Sequence, residues 1–182
     1  MTEDELLARY RQTHEPALLD ELVRRNFDRV YRFVASMVGR SIEGEREAVD
    51  DLVQDVLLNV VRNIGKFRGD SALATWIYRI ASNRVYRYFE EKKKFVPTIE
   101  SEQLEAVVDQ HRDSPETNEL KYLIDTAIMD LSPALRAAML LTTVEGFSPE
   151  EAAAVEGCTT ANIHWRVHKA RTILKRKLQK YF

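Results

Sequence analysis

Asn162, Trp165, Arg166 and Lys169 fall at i, i+3, i+4 and i+7, with His164, His168 and Arg171 beside them. Residues three and four apart share one face of a helix. The spacing therefore gathers an amide, an indole, a guanidinium and an ammonium on one side. Amides and guanidinium groups read base edges, and Lys and Arg neutralise phosphates. From residue 164 to the end the chain holds seven Lys and Arg and no Asp or Glu. The chemistry is that of DNA contact, weighed against a basic terminal helix that is merely solvated.

The elements that must position these groups can be read from the flanking pattern. Ile163, Val167, Ala170 and Leu174 make an apolar stripe on the opposite face of the same helix. Upstream, Ser148-Pro149-Glu150-Glu151 has the form of a helix start with a capping box. Ala152, Ala153, Ala154 and Val155 follow, then a break at Glu156-Gly157-Cys158. Thr159 or Thr160 caps the second helix. A short helix, a glycine turn and a basic helix form a helix-turn-helix, whose second helix enters a DNA major groove.

A second constellation lies earlier. Lys66 to Ser71 is a loop with an aromatic, bases and a glycine, running into a helix over about 72–94. Leu73, Ile77, Ile80 and Ala81 pack inward. Trp76, Arg79, Asn83, Tyr86, Arg87 and Glu90 share a polar-aromatic face. Aromatic rings stack on bases and Arg holds phosphate, so this face suits single-stranded nucleic acid; the competing reading puts Trp76 in the core. The preceding helix, about 46–64, buries Val53, Val56, Leu57, Val60 and Ile64. Its other face carries Asp51, Gln54, Asp55, Leu58 and Arg62, an apolar residue among carboxylates that reads as a docking surface. A core helix before it repeats Leu19, Leu22, Val23, Phe27, Val30, Tyr31, Val34 and Val38. A short N-terminal helix opens with a capping box from Thr2 and Glu5. Beyond residue 96, seven acidic residues and one Arg lie between 97 and 120 without sustained period, which reads as a flexible acidic linker. Helices over 119–129 and after Ser132-Pro133 complete the chain.

Composition bounds the function. Six Gly and five Pro in 182 residues favour long helices, and 45 % hydrophobic residues suffice for real cores. A net charge of −2 does not announce a nucleic-acid binder, but its distribution does, with an acidic front and a basic tail. One cysteine excludes an internal disulfide and fits a reducing compartment. No apolar run reaches membrane-spanning length, and the acidic N-terminus is not a signal peptide. No phosphate-binding loop, metalloprotease motif or nucleophile elbow is present. No catalytic residue, metal site or cofactor is expected. The expected fold is all-α: two small helical domains joined by the acidic linker, the second containing the helix-turn-helix.

The stretch DDLVQDVLLNVVRNIGKFRGDSALATWIYRIASN (50–83), followed by the acidic linker and then LSPALRAAMLLTTVEGFSPEEAAAVEGCTTANIHWRVHKAR (131–171), resembles the extracytoplasmic-function sigma factors of bacterial RNA polymerase. The resemblance implies a region 2 domain over 1–96, a linker over 97–118 and a region 4 domain over 119–182. It implies that Asp51, Leu52, Gln54, Asp55, Leu58 and Asn59 dock on core polymerase. Phe67, Arg68, Gly69, Asp70, Ser71, Trp76, Arg79, Asn83, Arg84 and Arg87 would then open the minus-ten element and hold a flipped base. Thr160, Ala161, Asn162, His164, Trp165, Arg166, His168, Lys169 and Arg171 would read the minus-thirty-five element. The implied partners are core polymerase, promoter DNA and an anti-sigma factor, in the cytoplasm. Four positions depart from the family pattern: Arg87 and Glu90 stand where Asp and Arg are frequent, and His164-Trp165 where a basic and a small residue are common. The other readings are a stand-alone helix-turn-helix regulator and a protein-interaction adaptor.

Overall fold

The computed structural model describes residues 1–39, 45–95 and 117–179. Its helices in chain order are α1 (Glu3–Thr13), α2 (Pro16–Val38), α3 (Glu45–Asn63), α4 (Leu73–Phe95), α5 (Thr117–Met129), α6 (Pro133–Met139), α7 (Pro149–Glu156) and α8 (Thr160–Leu178). Among the described residues there is no strand, as the all-α expectation required. The expected linker lies outside the described residues except at 117 and 118, where α5 has already begun.

Local chemistry explains the helix ends. Thr2 and Glu5 form the reciprocal cap at the start of α1. Ser148 and Glu151 do the same for α7, and Pro149 occupies a first-turn position that needs no amide hydrogen. Gly157, at φ 63°, closes α7 in the left-handed region that a side chain would strain. Of the two candidate caps for α8, Thr159 is the one used: its hydroxyl accepts from the Asn162 amide at 3.2 Å. After α6 the backbone widens into a π turn, Leu140–Val144. The hydroxyls of Thr142 and Thr143 donate to the carbonyls of Ala138 and Met139 four residues back. Such back-bonding competes with regular helical pairing.

In the N-terminal domain, α1, α3 and α4 all pack against α2. Val30, Phe33, Val34 and Met37 of α2 meet Val49, Leu52, Val53 and Val56 of α3 and Ile77, Tyr78, Ala81 and Val85 of α4. Phe27 departs from the expected stripe: it is exposed, its ring 6.0 Å from that of Tyr31. In the second domain, Ala127, Leu131, Leu135, Ala170 and Leu174 tie α5, α6 and α8 together.

The two domains also share a core. Ala137, Ala138, Leu141, Phe147, Ala152, Val155 and Ile163 join the apolar cluster of the first domain. The small residues of α7 let that helix lie close on α4. Tyr78 is the hinge of the packing, its ring 5.1 Å from Phe33 on one side and 4.8 Å from Phe147 on the other. Its hydroxyl donates to the Glu145 carboxylate, and burial together with that carboxylate pushes the phenol above its usual range.

Arg136 fastens the same contact. Only 4 % exposed, it donates to the carbonyls of Met37 at the end of α2, of Ile128 and Met129 at the end of α5, and of Leu131. Final-turn carbonyls have no partner within their helix and carry the negative end of its dipole. One guanidinium with five donors therefore satisfies two helix ends from different domains. The sequence reading had not singled out Arg136, because nothing in the local pattern distinguishes it from a solvated base.

Candidate nucleic-acid and protein-docking surfaces

The docking candidates on α3 separate by face. Asp51, Gln54, Asp55, Leu58 and Asn59 are all exposed. Leu52 is not: at 1 % exposure it points into the core, since its position falls on the α3 stripe that meets α2, and it is withdrawn as a surface contact. Leu58 is 43 % exposed. It borders a groove of about 380 Å³ between α2 and α3, lined on one wall by Val23, Phe27 and Tyr31 and on the other by Gln54, Leu57 and Val61. The exposure of Phe27 is thereby accounted for: it forms one wall of an apolar groove rimmed by Asp50. An apolar surface with a polar border is the usual form of a protein-docking site.

The loop before α4 holds Arg68, Gly69 and Asp70 in solvent, with Ser71 half-buried. Gly69 sits at φ 85°, a conformation that would strain any side chain there. Phe67 is buried. Its ring packs 5.3 Å from Trp76, which is half-buried, so the core reading of Trp76 is the better one. Arg11 of α1 braces the loop from outside: it donates to the Phe67 carbonyl, and its guanidinium lies 5.6 Å from the Phe67 ring.

On α4 itself Arg79, Asn83 and Arg87 form an exposed strip at i, i+4 and i+8. Two expected neighbours are turned away from it. Tyr86 is half-buried, pressed toward α7. Arg84 is also half-buried and turns to α3, its Nε donating to Asp55 at 3.0 Å. The two candidate surfaces thus touch through the Asp55–Arg84 ion pair, which the residue spacing could not disclose.

On α8, Ala161, Asn162, His164, Trp165, His168, Lys169 and Arg171 are exposed, and Thr160 is half-buried in the first turn. Trp165 is 56 % exposed, and the Lys169 ammonium sits 4.7 Å from its ring centre. The cation–ring contact restrains the indole and is worth about 0.5–1 kcal/mol at an exposed site. Arg166 departs from the expected face. It is drawn back toward α7, where Nη1 donates to Glu156 at 3.1 Å.

Glu156 is the group that the sequence reading missed. Its side chain is 1 % exposed. Besides Arg166 it accepts from the Ser82 hydroxyl at 2.6 Å and the Tyr86 hydroxyl at 2.5 Å. Burial of a carboxylate is costly unless it is paired and hydrogen-bonded, and here three donors, two from α4 and one from α8, satisfy it. Burial and the Glu156 charge raise the Tyr86 phenol above its ordinary range, so it remains a donor. The signal in the sequence was the i, i+4, i+8 row of hydroxyls at Tyr78, Ser82 and Tyr86; their partners lie about 70 residues away.

No group of His, Cys, Asp or Glu among the described residues is arranged to hold a metal ion. No described helix is long and apolar enough to cross a membrane.

Comparison with known proteins gives the family of the chain. Residues 22–95 match the model of sigma-70 region 2. Residues 128–176 match that of the sigma-like domain of the response regulator PhyR. The chain is 31 % identical over 156 residues to the ECF RNA polymerase sigma-E factor of Escherichia coli strain K12, covering 80 % of this chain and 81 % of that protein. The sigma-E factor of Haemophilus influenzae is also 31 % identical over 156 residues, with 80 % and 82 % covered. Among solved structures, the sigma factor RpoE in complex with the anti-sigma factor NepR from Bartonella quintana superposes with a TM-score of 0.70 at 25 % identity, over 88 % of this chain and 96 % of that one. CnrH, solved with the cytosolic domain of CnrY, shares the fold with a TM-score of 0.70 at 22 % identity, over 98 % and 99 %. The region 2 match covers only the first domain, and the second domain taken alone matches a sigma-like module of a different protein class. The sigma-E relatives align across both.

Proposed function

This chain belongs to the extracytoplasmic-function sigma factors of bacterial RNA polymerase, and from that membership we propose how its surfaces divide the work of promoter-directed initiation. The α2–α3 groove, with Leu58 at its edge and Asp51, Gln54, Asp55 and Asn59 alongside, docks on core polymerase. Arg68 and the Arg79–Asn83–Arg87 strip engage the minus-ten strand. The exposed face of α8 reads the minus-thirty-five element. The chain supplies no catalysis of its own. It acts in the cytoplasm, where polymerase and promoter are, and an anti-sigma factor restrains it. The solved relative carrying NepR supports that last point.

The observation that carries the reading is the exposed Arg79–Asn83–Arg87 strip beside a glycine loop on one domain, with a helix-turn-helix on the other. A stand-alone regulator has use for the second and none for the first. The test is binding to bacterial core polymerase, followed by run-off transcription on a randomised promoter library. Tight binding and selection of two separated sequence elements are expected. Tight binding to an operator without polymerase, with no gain in initiation, would identify a stand-alone regulator instead.

Two further outcomes follow from the surfaces. Asn83→Ala is expected to slow open-complex formation about tenfold, the worth of one base-edge hydrogen-bonding pair, while closed complexes form normally. Permanganate footprinting of the melted region measures it, and normal melting would count against the role of Asn83. Trp165→Ala is expected to relax the upstream element at one or two positions by about 0.8 kcal/mol of discrimination each, the worth of one buried methyl, because the exposed indole contacts a thymine methyl. Selection from a library randomised at the upstream element, with wild-type and variant holoenzymes, reads this out directly.

A further inference from the structure

The Glu156 carboxylate joins three helices, and its partners fall into two sets. Arg166 lies on α8, within the same helix-turn-helix as Glu156 itself. Ser82 and Tyr86 lie on α4, in the other domain. We infer that Glu156 is an interdomain latch that withholds Arg166 from DNA while the domains are closed. Closing the domains and retracting one base from the reading helix are then a single event.

The geometry supports this in three ways. First, the carboxylate is almost fully enclosed, so its charge has little water to fall back on; with all three donors present it is satisfied, and a low-dielectric surrounding strengthens each bond. Second, Arg166 is the member of the α8 reading face that is pulled inward, while Asn162, Trp165 and Lys169 around it remain exposed. Third, the hydroxyls that complete the site come from the same helix that carries the exposed strip of Arg79, Asn83 and Arg87. Separating α7 from α4 removes two of the three donors and admits water to the carboxylate. The remaining ion pair becomes a solvated one, worth at most about 1 kcal/mol. Arg166 is then free to exchange Glu156 for a phosphate or a guanine edge, either of which offers it a comparable acceptor.

The DNA arm of this inference rests on the proposed minus-thirty-five reading; the closure arm does not. The decisive variant is the double substitution Ser82→Ala with Tyr86→Phe, which removes both α4 hydroxyls and leaves Glu156 and Arg166 in place. Tyr86→Phe alone serves where the double variant folds poorly, because it keeps the ring. Two quantities are measured on the full chain without polymerase: the radius of gyration by small-angle scattering, and the affinity for a duplex bearing the upstream element selected by the wild-type holoenzyme. The radius is expected to increase, and duplex affinity to rise threefold or more. Adding Arg166→Ala should erase the affinity gain. An unchanged radius with unchanged affinity overturns the latch. So does an affinity gain that survives Arg166→Ala, since the retracted group would then not be this arginine. If the wild-type holoenzyme selects no upstream element, the functional reading fails, and the scattering comparison alone still decides whether Glu156 holds the domains together.

Discussion

Replacing Leu58 by Glu is expected to weaken binding to core RNA polymerase by about a hundredfold while leaving the fold intact. A hundredfold corresponds to about 2.7 kcal/mol. Leu58 is 43 % exposed and lies outside the buried core, so the free protein loses only a partial contact by the change. On docking, the apolar contact is lost, worth about 1.5–3 kcal/mol for a side chain of this size. A carboxylate must also be desolvated beside Phe27 and Val61. Equilibrium binding to fluorescent core polymerase, run beside a thermal melt, measures both halves of the statement. Wild-type affinity in a folded variant would move the docking surface elsewhere. Charge changes at Asp51 and Asp55 should also weaken docking and spare upstream-element recognition, though Asp55 carries a second consequence, because it holds Arg84.

The second large effect concerns Arg136. Arg136→Ala is expected to destabilise the protein by about 3 kcal/mol, the scale of removing one partner from a buried charged network. For a chain of this length that lowers the melting temperature by roughly 6–12 °C. The loss has a simple origin. Four backbone carbonyls, three of them near helix C-termini, lose their donor in a place water does not easily reach. Arg136→Lys is not expected to rescue it, because an ammonium has three donors on one atom and cannot span the carbonyls of α2 and α5. Differential scanning calorimetry of both variants decides the matter; a lysine variant as stable as wild type would mean that charge alone, and not the guanidinium fork, holds the ends.

Much of this architecture was legible before any coordinates. The helices follow from period, caps and the scarcity of Gly and Pro, and α7 with its Ser148–Glu151 box and Gly157 stop was readable to the residue. What escaped was everything that depends on which faces meet across large sequence separation. Phe27 fits the α2 stripe by spacing, yet the contact between α2 and α3 leaves it exposed on one wall of a groove. Leu52 lies beside Asp51 in sequence but one helical position turns it inward. Arg166 has the spacing of an exposed reading residue, and only the buried Glu156 on the neighbouring helix explains why it is drawn in. Periodicity identifies a face and carries no information about the partner of that face.

The brace from α1 to the loop at Phe67 has a consequence for how such proteins can be recombined. Arg11 grips the Phe67 carbonyl and lies against its ring across 56 residues of sequence. The loop is therefore not a self-contained cassette. A chimera that imports another protein's loop and α4 but keeps the native first helix would place a foreign side chain over Arg11, and one that trims the first helix would leave the loop unsupported. Exchange of promoter preference between relatives would have to move the N-terminal helix and the loop as a pair, although nothing in the linear order of the chain marks them as one unit.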